Sequence, residues 1–205
     1  MILKTNNLNL TLNRKLILNS INLSIENGDR IGITGKNGSG KTVLLRTLAG
    51  IYPVQKDMLH TQIKFFFLST PATATSPRLK SRDNVKRILM FHNQNTYKEE
   101  LFLNLCDQFE FNNYIDYEFI KLSQGYRLRL QIIAFLLMDF QNLLIDEFFG
   151  FGDDIVQDKF QEILKDKYRT VDSLVVASHN QKIIKTVCNR IIKLDQGRII
   201  EDYRI

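Results

Sequence analysis

The stretch "GKNGSGKT", residues 35–42, decides the fold. Gly35 is followed by Lys36, Asn37, Gly38 and Ser39, and then by Gly40, Lys41 and Thr42. The preceding "RIGIT" has the composition of a short buried strand. The following "TVLLRTLAGIY" has helical spacing, with Val43, Leu44, Leu48 and Ile51 on one side. A glycine-rich turn between a strand and a helix lets several backbone N–H groups converge on one anion. The helix N-terminus adds partial positive charge. Both the pattern and its context are those of a phosphate-binding P-loop. Lys41 is then expected to reach the β- and γ-phosphates of a nucleotide, and the Thr42 hydroxyl to bind Mg²⁺.

A second stretch completes that chemistry. In "NLLIDEFFGFGDD", residues 142–154, an apolar run climbs to Ile145 and stops at two adjacent carboxylates, Asp146 and Glu147. Phe148 and Phe149 follow at once. In P-loop proteins an acid at the tip of a neighbouring strand holds the Mg²⁺ shell, and Asp146 suits that role. Its charge is offset by a lysine, a threonine and a divalent cation. Glu147 can face the attacking water and orient it or accept its proton.

Two weaker signals lie downstream of the first motif. In "KLSQGYRLRL", 121–130, Ser123 stands where a helix should begin, with Gly125 just inside. A serine and backbone amides at a helix N-terminus again suit a phosphate. In "VVASHN", His179 follows a short apolar strand, where it could reach a γ-phosphate, although a lone histidine at such a place is more often incidental.

The rest of the chain supplies a frame. "LNLTL" and "LILNSINLSI" alternate at period two, as half-buried antiparallel strands do. "ENGD", 26–29, is expected to be a hairpin turn. "QIKFFFL", 62–68, and "SLVVAS" are further strands. The polar stretch 69–83 holds two of the three prolines and is expected to be a loop or subdomain boundary. Residues 84–118 look helical and rich in aromatics. Asp153 or Asp154 is placed to cap a helix with the stripe Ile155, Val156, Phe160, Ile163 and Leu164. "NQKIIKTVC" is a helix and "RIIKLDQGRIIED" a closing hairpin. Strands alternating with helices imply a largely parallel sheet covered by helices.

The bulk numbers agree with a globular domain. The chain has 205 residues, 44% hydrophobic and 24% charged, enough for one domain or two fused lobes. The longest purely apolar run is "IIAFLLM", 132–138, far too short to span a bilayer. No secretion signal pattern opens the chain. Cys106 and Cys188 have no pairing or metal spacing, which fits a reduced cytosolic protein. The net charge is +6, but Lys and Arg are spread without a long block, so a solvated basic surface is expected and nucleic acid is not.

These elements, in this order, resemble the ATP-binding cassette (ABC) ATPases over almost the whole chain. "GKNGSGKT" is similar to Walker A, and "LLIDE" to Walker B with its catalytic glutamate. "LSQGY", Leu122 to Tyr126, resembles the signature LSGGQ but carries Gln124 and Tyr126 as substitutions. Arg129 matches an arginine usual just past it. His179 falls at the switch histidine. "FFGFGD" is similar to the D-loop of ATPases serving bacterial polysaccharide exporters for capsule, O-antigen and teichoic acid. Gly150 to Asp153 would then form the D-loop, with Gly152 and Asp153 meeting the opposite subunit. Phe148, Phe149 and Phe151 would pack at that seam or in the core. Two family positions are changed: Leu12 stands where an adenine-stacking aromatic is usual, and Ser69 and Thr70 stand where a Q-loop glutamine is usual.

The resemblance implies an α/β P-loop NTPase core with a mostly parallel sheet, an N-terminal antiparallel β-subdomain and a helical insert. It implies one domain over 1–205, with a core of 1–70 and 134–205 and the insert at about 71–133. The expected nucleotide contacts are residues 35–42, with Thr42 and Asp146 at the metal and Lys41, Glu147 and His179 at the chemistry. ATP and Mg²⁺ are the expected cofactors. A homodimer would hold each ATP between one P-loop and the opposite Ser123. A separate integral-membrane permease would carry a polysaccharide or related glycoconjugate, with this subunit peripheral at the cytoplasmic face of the inner membrane. The alternative is a non-transport, regulatory ABC-like protein that binds nucleotide but hydrolyses it poorly.

Overall fold

The computed structural model describes residues 1–69, 75–92, 94, 97–146, 159, 162–163, 167–178 and 181–205. The chain divides into two compact units. The first comprises Met1–Thr70, Phe140–Phe149 and Lys167–Ile205; the second comprises Pro71–Asp139 and Gly150–Asp166.

The first unit holds two sheets. β1 (Leu3–Leu12) pairs antiparallel with β2 (Lys15–Ile25) and with β4 (Leu59–Thr61), in the order β2-β1-β4. Asn13 and Arg14, with φ of 47° and 63°, make the tight turn between β1 and β2. The second sheet is β5 (Phe66–Ser69), β6 (Asn142–Asp146), β7 (Ser173–Ala177), β3 (Arg30–Thr34), β8 (Arg190–Asp195) and β9 (Arg198–Arg204), in that spatial order. All neighbours are parallel except β8 and β9. β6 and β7 are buried along their whole length. Parallel strands covered on both faces must be continuously apolar, which is how "LLI" and "LVV" read. The mostly parallel core and the antiparallel N-terminal sheet are as expected.

Some local expectations fail. "ENGD" is not a hairpin: β2 and β3 lie in different sheets, so the Asn-Gly turn passes the chain from one to the other. Asp29 closes it by accepting from the Glu26 N–H at 3.0 Å, and the buried carboxylate also meets Arg190 and Arg204 at 3.3 and 3.0 Å. α1 (Lys41–Leu48) stops before Ile51, which is exposed. Gly50, at φ 75°, follows the helix end in the left-handed conformation that commonly terminates helices.

The second unit is helical. α2 (Ser81–Phe91), α3 (Glu99–Gln108) and α4 (Gln124–Leu136) bury Val85, Leu89, Phe102, Phe111, Leu130 and Phe135. α2 begins at Ser81, so the polar boundary is shorter than expected. Asn84 is fully buried and shapes what precedes α2: it accepts from Ser76 N at 2.7 Å and donates to the Ser76 and Leu79 carbonyls at 3.0 Å each. A further helix, α5 (Gln181–Val187), belongs to the first unit. Both cysteines are buried free thiols. Burial pushes each up to about 12, so both stay protonated and unreactive at neutral pH.

Candidate nucleotide site

The site lies at the carboxyl ends of the parallel strands, where open α/β sheets bind ligands. One row of the second sheet aligns Ser69, Asp146, Ala177 and Ile33 across β5, β6, β7 and β3. The phosphate loop, residues 35–40, leaves β3 at this edge and enters α1 at Lys41. Gly35, Gly38 and Gly40 have φ of 149°, 78° and 105°, which residues with a Cβ rarely adopt. The first-turn amides of α1 have no acceptor within the helix, and no acidic side chain stands in that turn. The loop therefore presents donors and positive potential to an anion.

Three side chains complete the cradle. Lys41 is buried and curls back, its Nζ donating to the Gly35 carbonyl at 2.9 Å and the Lys36 carbonyl at 3.1 Å. Those carbonyls hold the ammonium over the loop, and phosphate oxygens are stronger acceptors for it. Ser39 is 4% exposed and its Oγ has no hydrogen-bond partner, which costs free energy. Thr42 Oγ1 donates to Asp146 Oδ1 at 3.1 Å, joining the start of α1 to the end of β6 across 104 residues. A hydroxyl and a carboxylate are the hard oxygen donors that Mg²⁺ takes. A buried lysine, loop amides and this oxygen pair fit a nucleotide's phosphates with a divalent cation.

The remaining expected residues are distributed as follows. Ser123 caps α4 in the second unit, its Oγ accepting from Tyr126 N at 3.4 Å. Leu122 is buried, while Gln124 and Gly125 are exposed. Tyr126 is half-buried against Tyr114, with ring centroids 3.8 Å apart, and Arg129 lies 5.0 Å over its face. That tyrosine pair was not foreseen. Only the aromatic richness of 109–126 hints at it. Leu12 is half-buried and packs against the core of the first unit. Glu147, Phe148, Phe149, Phe151, Gly152, Asp153 and His179 lie outside the described residues.

The sequence profile of the family described as "ABC transporter" matches residues 18–150. The chain is 31% identical over 186 residues to an O-antigen export system ATP-binding protein of Yersinia enterocolitica, covering 90% of this chain and 78% of the relative. It is 27% identical over 199 residues to a nickel import system ATP-binding protein of Staphylococcus aureus, covering 94% and 85%. Among solved structures, a dimeric post-hydrolysis ATP-binding cassette bound to ADP and Pi superposes with a TM-score of 0.74 at 19% identity, over 99% of this chain and 98% of that one.

Proposed function

Because the chain belongs to the ABC transporter family and is an ATPase, we propose that it powers export of a polysaccharide or related glycoconjugate through a separate permease. Subunits of this family dimerise and work with membrane permeases. Among the described residues no helix is long and apolar enough to cross a membrane. A peripheral place on the cytoplasmic face of the inner membrane follows from that reading, with 1–205 acting as one ABC ATPase domain.

The observation that carries the chemistry is the Thr42–Asp146 hydrogen bond beside Lys41. Lys41 exchanges the Gly35 and Lys36 carbonyls for the β- and γ-phosphates. The amides of the first turn of α1, which have no acceptor within the helix, face the same oxygens. Thr42 and Asp146 would hold Mg²⁺, which when bound neutralises charge on the phosphate oxygens. Glu147 orients the attacking water or takes its proton, and His179 meets the γ-phosphate. The Leu122–Tyr126 segment of an opposite subunit, led by Ser123, closes over the nucleotide, with Gly152 and Asp153 at the seam.

Export of a glycan is favoured over metal import by the greater identity to the O-antigen relative and by the D-loop wording "FFGFGD". The deciding experiment reconstitutes the ATPase with its co-purified permease. Turnover should rise with lipid-linked polysaccharide and ignore nickel. A rise with nickel alone rejects export.

The composite site makes its own prediction. Ser123→Arg should leave ATP binding by the monomer intact and block ATP-driven dimerisation, because a bulky cation fills the second phosphate position. Gel filtration in ATP and Mg²⁺, in a Glu147→Gln background, reads the result. Normal dimerisation would reject the arrangement.

A further inference from the structure

The phosphate loop does not stand alone. The β8–β9 turn, Gln196 and Gly197, lies directly behind it. The Gly197 N–H donates to the Ser39 carbonyl at 2.9 Å, and the Gly197 carbonyl accepts from Asn19 N at 2.9 Å. A Cβ on residue 197 would lie 2.0 Å from the Ile17 carbonyl oxygen and 3.3 Å from Leu18 Cα. A Cβ on Gly35 would lie 2.3 Å from the Leu194 carbonyl oxygen. One on Gly40 would touch the Leu18 and Leu194 side chains at 3.3 and 3.4 Å. The loop thus rests at Gly35, Ser39 and Gly40 on a floor made of β2 and the β8–β9 turn.

That floor has a consequence for the donors. A trans peptide points its C=O and N–H in opposite directions. Pinning the Ser39 carbonyl to Gly197 therefore turns the Gly40 N–H away from the turn and toward the open side of the loop. We propose that Gly197 is a positioning residue for ATP binding: through Ser39 it aims the Gly40 amide at the nucleotide's phosphates. This rests on residues 35–42 being the phosphate site. No side chain can replace the glycine, since φ is 75° and the Ile17 carbonyl fills the space a Cβ needs.

A matched control exists in the same unit. Gly50 also has φ 75°, but nothing lies within 4 Å of where its Cβ would be. Gly50→Ala therefore imposes the same backbone strain without moving the loop. Gly197→Ala should weaken the Kd for ATP with Mg²⁺ by roughly tenfold, the scale of one lost charge-assisted hydrogen bond. KM should rise in step, and kcat should change much less. Gly50→Ala should lower the melting temperature and leave Kd alone. Equal Kd in the two variants overturns the proposal.

Hydrogen exchange on the unmodified protein gives a second test should Gly197→Ala fail to fold. Added ATP and Mg²⁺ should slow exchange of the Gly197 amide and not of the Gly50 amide. An unchanged Gly197 amide overturns the proposal equally. Lys41→Ala separates the two levels: if that variant still binds ATP normally, the phosphate site itself is wrong. If it does not, and Gly197→Ala binds normally, only the supporting role fails.

Discussion

Lys41→Ala should weaken ATP binding by on the order of a hundredfold or more, because several charge-assisted contacts vanish together. The ammonium is buried at the mouth of the loop, held by the Gly35 and Lys36 carbonyls. Nothing else in the described part of the loop carries a buried positive charge, so an alanine leaves those carbonyls facing the incoming phosphates. The variant therefore loses an attraction and gains a repulsion. The Thr42–Asp146 pair should survive, and the protein should stay folded. Titration calorimetry with ATP measures the loss. Wild-type affinity would remove residues 35–42 from the nucleotide site.

Glu147→Gln should show the opposite division. ATP should bind as tightly as before, since no phosphate contact is touched. Turnover should fall by roughly a hundred- to ten-thousandfold, the range attributed to a positioned general base. The subunits should then accumulate as an ATP-bound dimer, visible as a shift in gel filtration. A variant that hydrolyses like wild type would move the water-positioning role to another residue. The two variants together separate holding the nucleotide from cleaving it.

The phosphate loop, the strand ending at Asp146 and the Ser123 cap were all legible because each is local. A P-loop is eight consecutive residues, and a helix cap needs one hydroxyl three residues before the amide it accepts from. The errors share the opposite property. "ENGD" has the chemistry of a tight turn, but turn chemistry does not say which sheet receives the next strand. Which residues of β1 face the core is likewise set at long range, by how β1 pairs with β2. That pairing slips register between Thr5 and Leu8 and again on either side of Leu10. Each slip re-aims the side chains that follow, so simple alternation cannot be counted from Leu3. The floor under the phosphate loop was invisible for the same reason. Its contacts join residue 35 to 194, 39 to 197 and 17 to 197. The Tyr114–Tyr126 stack likewise depends on how the segment after α3 folds over the start of α4.

The order of synthesis gives the β8–β9 turn a further meaning. The ribosome makes the glycine-rich loop long before the residues that support it. A nascent or prematurely ended chain lacking residues 190–204 would carry the whole binding motif without the floor that shapes it, and β3 would lack one neighbour. Such a fragment should neither draw on the cell's ATP nor pair with a finished subunit through bound nucleotide. Nucleotide binding then has to wait until the β8–β9 hairpin has folded back onto residues made long before it.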